Sequence, residues 1–286
     1  MKRWSSSILN SPPVFHAIGL KPRDRAYICV RCAYRIPMPA HLTTMEYPLL
    51  KAALLVLSAY CTFISTNSPN PPATPEEQAR YVKDNKIRDP LAMSFRRWNT
   101  NLFRSICYCT ALAEALFIVL STIGALPRAP QLFHPSSALD LQDLSLSNFF
   151  IYGVCSMSLA AYIRSTCFRH LGRLYTFELS VKKDHRLITD GPYAIVRHPG
   201  YVGSVLFYTG ACCAQLGPGS LLAASGLWRS PVGAVFAITY LSYCAYVCSF
   251  LLARVSKEDK VLKQQFRAEW EEWAKRTPYR LIPYVY

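Results

Sequence analysis

Residues 185–203 read HRLITDGPYAIVRHPGYVG and gather His185, Arg186, Asp190, Tyr193, Arg197, His198 and Tyr201 into one short run. Apolar stretches lie on either side, at about 149–163 before it and 201–216 after it. Reading those flanks as membrane-embedded decides the fold class. A polar run between membrane-crossing stretches is either an ordinary basic loop or a place where a charged ligand meets a lipid.

Composition favours the membrane reading. Of the 286 residues, 51% are apolar and only 17% charged, which is low for a soluble protein. Net charge is +15, and in a membrane protein such a surplus belongs in cytoplasmic loops facing anionic lipid. A nucleic-acid role calls for a basic stripe on a soluble fold; none is legible, so no nucleic-acid partner is expected. Of the 11 cysteines, Cys61, Cys107, Cys109, Cys155, Cys244 and Cys248 lie inside apolar runs, where they act as small hydrophobes and not as a disulfide framework. Cys29 and Cys32 form one C-x-x-C pair without a second pair or spaced histidines, so no metal site is expected.

Along the chain, residues 1–44 are basic, Pro-containing and without sustained periodicity, and no apolar core follows the opening charges. They are expected to form a disordered extension, with Met45 itself a candidate start. Five spans are predicted, at about 48–66, 102–126, 149–163, 201–216 and 232–253, against the ~20 residues needed to cross a bilayer. Glu114, inside the second, is expected to be a buried packing partner, because intramembrane carboxylates face protein or water. Residues 67–101 hold six Lys or Arg and 164–197 hold seven, whereas 127–148 hold one. The first two connectors are therefore cytosolic and the third lumenal. By the same count residues 1–47 fall in the lumen although they hold seven Lys or Arg. Either the first segment is re-entrant or the extreme N-terminus stands outside the working fold. Between the last two spans, 217–231 contains LLAASGLW, too short to cross and suited to the interface. From 256 onward Val261, Leu262, Phe266, Trp270 and Trp273 recur at helical spacing among charges, the pattern of an amphipathic surface helix ended by Pro278.

Familiar cofactor signatures are missing: there is no G-x-G-x-x-G after a strand, G-x-x-x-x-G-K-[ST], H-E-x-x-H or G-x-S-x-G. What remains is a constellation at one depth. His185, Arg186, Tyr193, Arg197, His198 and Tyr201 precede the fourth span, and Arg254 and Glu258 follow the fifth. If those spans form a hairpin, both groups sit at its cytosolic mouth, with Arg254 and Glu258 four apart on one helix face. A snorkelling arginine with a local ion pair, beside a loop whose Pro199 opens a helix, accounts for the same residues without any ligand.

The motif H-x-L-[IV]-T-x-G-x-Y at 185–193, R-H-P-x-Y-x-G at 197–203 and R-x-x-x-E at 254–258 resembles the isoprenylcysteine carboxyl methyltransferase family. Phe266, Trp270 and the closing Arg280-Leu281-Ile282-Pro283 match its tail, so the likeness covers about 175–283. The L-L-K…N-P-P pattern after Met45 suits its fungal-type members. The resemblance implies an all-α, polytopic membrane protein of about five transmembrane helices, with a C-terminal amphipathic helix over a cytosolic cofactor pocket. Residues 45–174 would supply the N-terminal transmembrane helices and 175–286 the catalytic region. S-adenosylmethionine would be held by Glu178, by His185, Arg186, Leu187 and Ile188, by Tyr193, by His198, Pro199, Gly200 and Tyr201, and by Glu258. Arg254 would meet the prenylated substrate and orient its carboxylate. Arg197 and His198, near a helix N-terminus, suit the cofactor's own carboxylate. Glu258 or Glu178 suits its ammonium, and Tyr193 or Tyr201 a wall of the adenine slot.

The implied activity is methyl transfer to the C-terminal carboxylate of prenylated CaaX-type proteins after proteolysis, in the endoplasmic reticulum membrane, with the catalytic face cytosolic. The family commonly has a small residue where this chain has Arg267, and 217–231 is longer than a tight hairpin needs; both bear on substrate preference. Two other readings stay open. One is a phospholipid or small isoprenoid methyltransferase with the same pocket. The other is a non-catalytic scaffold that binds membrane lipid.

Overall fold

The computed structural model describes residues 47–71, 74, 93–125, 129–131, 134–139, 143–175 and 186–285. The expected extension over 1–44 lies outside them. Residues 44–286 make one compact unit.

Helix α1, Pro48–Thr66, coincides with the first predicted span; a proline in its first turn opens it where no amide partner is required. Helix α2, Met93–Thr122, starts well before the predicted 102. No proline or glycine interrupts it, so the helix runs from the polar connector into the apolar segment. It closes at Gly124, φ +71°, with Ala125 N donating to Leu120 O at 2.9 Å and Gly124 N to Ser121 O at 3.2 Å, a Schellman-type end. An antiparallel hairpin of β1, Ala129–Gln131, and β2, His134–Leu139, follows. It is a small addition to a fold that is otherwise helical as expected.

Helix α3, Asn148–Leu171, is capped by Ser147, whose side chain accepts from Phe150 N at 3.1 Å. It continues past the predicted end at 163 because Arg164 is not a closing surface charge. Its guanidinium is buried and donates to Ser204 Oγ at 2.6 Å, Gly200 O at 3.3 Å and the Tyr175 hydroxyl at 3.1 Å. Helix α4, Pro199–Leu216, lies along α3 at very short range. A Cβ on Gly153 would fall 2.7 Å from Gly210 O and 2.6 Å from Ala214 N, so the two backbones touch where neither helix carries bulk. A short helix α5, Leu221–Ala224, precedes α6, Pro231–Phe266. The fifth span and the start of the tail helix are thus one continuous helix of 36 residues. The break comes at Arg267, φ +45°, before α7, Ala268–Arg276.

Four helices among the described residues are long and apolar enough to cross a membrane: Pro48–Thr66, Asn99–Thr122, Pro199–Ala224 and Pro231–Phe266. The protein is a multi-pass membrane protein. The third predicted span, α3, has the length at 24 residues but turns Ser156 and Arg164 inward, and it packs against both α1 and α4. Phe103, Ile118, Phe150, Met157 and Phe207 fill the shared core. Val56, Leu116, Val235, Ile238 and Leu241 point outward as exposed apolar side chains, as a lipid-facing surface requires. Helix α6 buries much less of its apolar stretch than α1 does, so α6 is the peripheral helix.

Away from residues 185–203, Lys51 and Glu114 form a fully buried ion pair joining α1 to α2. Lys51 Nζ also donates to Gly219 O at 2.6 Å, and Glu114 accepts from Leu221 N at 2.9 Å. Glu114 is the buried partner expected of an intramembrane carboxylate, and its charge is matched.

Candidate functional site

The polar run from 186 folds as an extended segment, a 3-10 turn over Gly191–Ala194, and the start of α4 at Pro199. Proline fixes the φ of the first helical residue, and His198 stands at the cap position. Its side chain does not cap the helix; it reaches across to α6, with Nε2 2.9 Å from Asp259 Oδ1. Three residues on, the Tyr201 hydroxyl donates to Glu258 Oε2. The His198 and Tyr201 rings stack, 5.7 Å apart at 11°. Arg254, one turn before Glu258, is buried, and its charge acts on both Tyr201 and Tyr175. The start of α4 and the polar end of α6 therefore meet directly, which brings His198 and Tyr201 beside Glu258 and Asp259.

Asp259 binds three cationic or titratable groups at once. Besides His198, it takes Arg197 Nη2 and Arg280 Nε, each 3.2 Å from Oδ2. Arg197 Nη1 donates to Thr277 O and Pro278 O, both at 2.9 Å. The main chain adds Arg197 N to Tyr279 O and His198 N to Arg280 O, both 2.9 Å. Upstream, Trp273 Nε1 donates to Tyr193 O at 3.1 Å and Thr277 Oγ1 to Ala194 O at 3.3 Å. The C-terminal segment thus lies as a strap along residues 193–198. Buried beside Cys167 and Glu258, the Tyr193 phenol is pushed well above its ordinary range and stays protonated, able to donate. Burial likewise raises the Tyr175 phenol, against the pull of Arg164 and Arg254.

Of the residues singled out from the sequence, Arg197, His198, Pro199, Gly200, Tyr201, Arg254 and Glu258 come together, with Tyr193 beside them. Leu187 and Ile188 are half-buried and Arg186 is exposed. Glu178 and His185 lie outside the described residues. Arg197 was expected to face a ligand carboxylate; here its Nη atoms hold the strap and Asp259, while its Nε is buried without a hydrogen-bond partner among the described residues. Asp259 and Arg164 are not among the residues that the sequence motifs single out for the site. Asp259 directly follows Glu258, and spacing alone does not say which of two adjacent carboxylates faces which partner. Arg164 did carry a signal, as the first charge in a helix whose preceding residues are uncharged.

Chemically, the cluster offers a half-buried carboxylate at Glu258, a buried guanidinium at Arg254 and aromatic faces at Tyr193 and Tyr201. It can hold opposite charges side by side, with little water, where membrane helices end.

Residues 153–223 match the model of the isoprenylcysteine carboxyl methyltransferase family. Protein-S-isoprenylcysteine O-methyltransferase B of Arabidopsis thaliana is 27% identical over 142 residues, covering 49% of this chain and 60% of that protein. The protein-S-isoprenylcysteine O-methyltransferase of Schizosaccharomyces pombe is 28% identical over 137 residues, covering 45% of this chain and 50% of that one. A Delta(14)-sterol reductase of Mus musculus is 29% identical over 101 residues, 35% of this chain but 20% of its own length. The chain spans less than two thirds of each of these relatives.

Proposed function

We propose that this protein, a member of the isoprenylcysteine carboxyl methyltransferase family through residues 153–223, methylates the C-terminal carboxylate of prenylated cysteine, with S-adenosylmethionine as methyl donor. The observation that carries the reading is the junction of α4 and α6, where Tyr201 meets Glu258 and Arg254 lies one turn away. The acceptor would be a CaaX-type protein after proteolysis, and the catalytic face would be cytosolic at the endoplasmic reticulum membrane. The division into 45–174 as membrane support and 175–286 as catalytic region is a division of labour, since α3 and α4 pack together across it.

The residues present fit the proposed methyl donor. Glu258, held by Tyr201, suits an ammonium. Two buried N–H groups, Arg197 Nε and Trp270 Nε1, have no hydrogen-bond partner among the described residues and suit a bound acceptor atom. Tyr193 and Tyr201 supply aromatic walls. Glu178, His185, Arg186, Leu187 and Ile188 complete the proposed set. S-Adenosylmethionine supplies a methyl on a positive sulfur, which a carboxylate oxygen takes as the sulfur keeps the bonding pair, so no proton need move. Arg254 then has one task, to hold that carboxylate in line. Holding two reactants so can account for roughly 7–11 kcal/mol of the barrier. The burial of Arg254 strengthens its pairing with the acceptor. An amine lipid acceptor would find a poor partner in Arg254. A reductase role finds less support, because the reductase match spans so little of that protein's length.

The test is incubation of the purified protein with methyl-labelled S-adenosylmethionine, a farnesyl-cysteine analogue and competing phosphatidylethanolamine. Base-labile label on the analogue is the expected result. Label on the amine lipid would move the acceptor to a phospholipid. Absence of saturable binding, with salt-sensitive lipid association only, would leave a lipid-binding scaffold.

A further inference from the structure

We infer that Asp259 is a positioning residue, whose single carboxylate latches the C-terminal strap onto residues 197–198 and so holds the cofactor side of the site in shape; the cofactor part rests on the methyl-transfer reading above. Asp259 sits on α6, His198 and Arg197 at the start of α4, and Arg280 on the strap. One buried carboxylate thus joins three segments distant in sequence. Its Oδ2 accepts from two guanidinium groups at 3.2 Å each, and its Oδ1 faces His198 at 2.9 Å. Without the negative charge, the buried Arg197 and the partly exposed Arg280 would lose the counter-charge that they share. Breaking a buried charge cluster by removing one member is among the more disruptive single changes.

The strap has further bonds, but they depend on register. Arg197 N reaches Tyr279 O and His198 N reaches Arg280 O only if residue 280 lies where Asp259 holds it. Asp259 Oδ1 also holds the His198 ring, which stacks on Tyr201, which in turn holds Glu258. Asp259 therefore acts on the proposed ammonium site through His198 and Tyr201, without touching a ligand itself.

Hydrogen exchange on the full-length protein in detergent or nanodiscs reads the latch directly, at the amides of Arg197 and His198. Kinetics with S-adenosylmethionine and a farnesyl-cysteine acceptor reads its consequence. Asp259→Asn is expected to speed exchange at both amides at least tenfold. It should also raise KM for S-adenosylmethionine about tenfold while leaving acceptor KM unchanged, and Asp259→Glu should restore part of both. Unchanged exchange at 197 and 198 in a folded Asp259→Asn protein would overturn the latch. Faster exchange with unchanged KM for S-adenosylmethionine would overturn the positioning role. If Asp259→Asn does not fold, Arg280→Gln removes only the partly exposed partner and is held to the same two readouts. Should the wild-type chain bind no S-adenosylmethionine, the methyl-transfer reading fails while the exchange experiment still decides the latch.

Discussion

Arg254 and Glu258 show how far a residue's role follows from spacing. Four positions apart in a helix, they share a face, which is legible without a structure. That Tyr201, 57 residues earlier, bonds Glu258 is not legible, because partner choice depends on where two helices cross. The assignments separate cleanly by measurement. Arg254→Ala is expected to leave S-adenosylmethionine affinity within about threefold while carboxylate turnover falls a hundredfold or more, as for loss of one oriented charge contact. Equal loss of both would show that Arg254 serves the cofactor. His198→Ala is expected to weaken S-adenosylmethionine binding in a direct titration; unchanged affinity would remove His198 from the pocket wall. Arg197 teaches the complementary lesson. Its charge suited a ligand carboxylate, yet its Nη atoms are spent on the protein's own Asp259 and strap carbonyls.

Among the elements, α6 departs furthest from what periodicity suggests. Periodicity separates an apolar span from an amphipathic tail, because hydrophobicity changes sharply near 254. The backbone does not break there, since Arg254, Val255, Asp259 and Val261 are all buried against the site. The break waits for Arg267, whose φ of +45° is a conformation that L side chains adopt reluctantly. Arg267→Gly is expected to stabilise the protein by about 1 kcal/mol, read as a raised thermal midpoint in detergent. A lowered midpoint would mean that the arginine side chain contributes more than its backbone loses. The connector between α2 and α3 is equally hard to foresee, since the register of β1 and β2 leaves little trace in so short a stretch.

For the whole molecule, the Lys51–Glu114 pair fixes how the amino-terminal helices meet the α4–α6 connector. It engages α1, α2, Gly219 and Leu221 together. Lys51→Met, leaving Glu114 buried and unmatched, is expected to cost about 3–5 kcal/mol of stability. The double change Lys51→Met with Glu114→Gln keeps an acceptor for Leu221 N and should recover most of that loss in thermal unfolding. If the single and double variants unfold alike, the pair has no net structural role.

Length, apolar clustering and the motif at 185–203 were enough to determine a multi-pass helical membrane protein and the position of α1, and to single out Tyr201 and Glu258 before their contact was seen. Those features are local, or repeat with the helix period, and so survive in one dimension. Only the tertiary structure decided that α3 continues past Arg164, because Ser204, Gly200 and Tyr175 satisfy a charge that alone would end an apolar helix. It also decided that Asp259, and not its neighbour Glu258, gathers Arg197, His198 and Arg280. A buried charge is defined by what surrounds it, and its surroundings come from segments far apart along the chain.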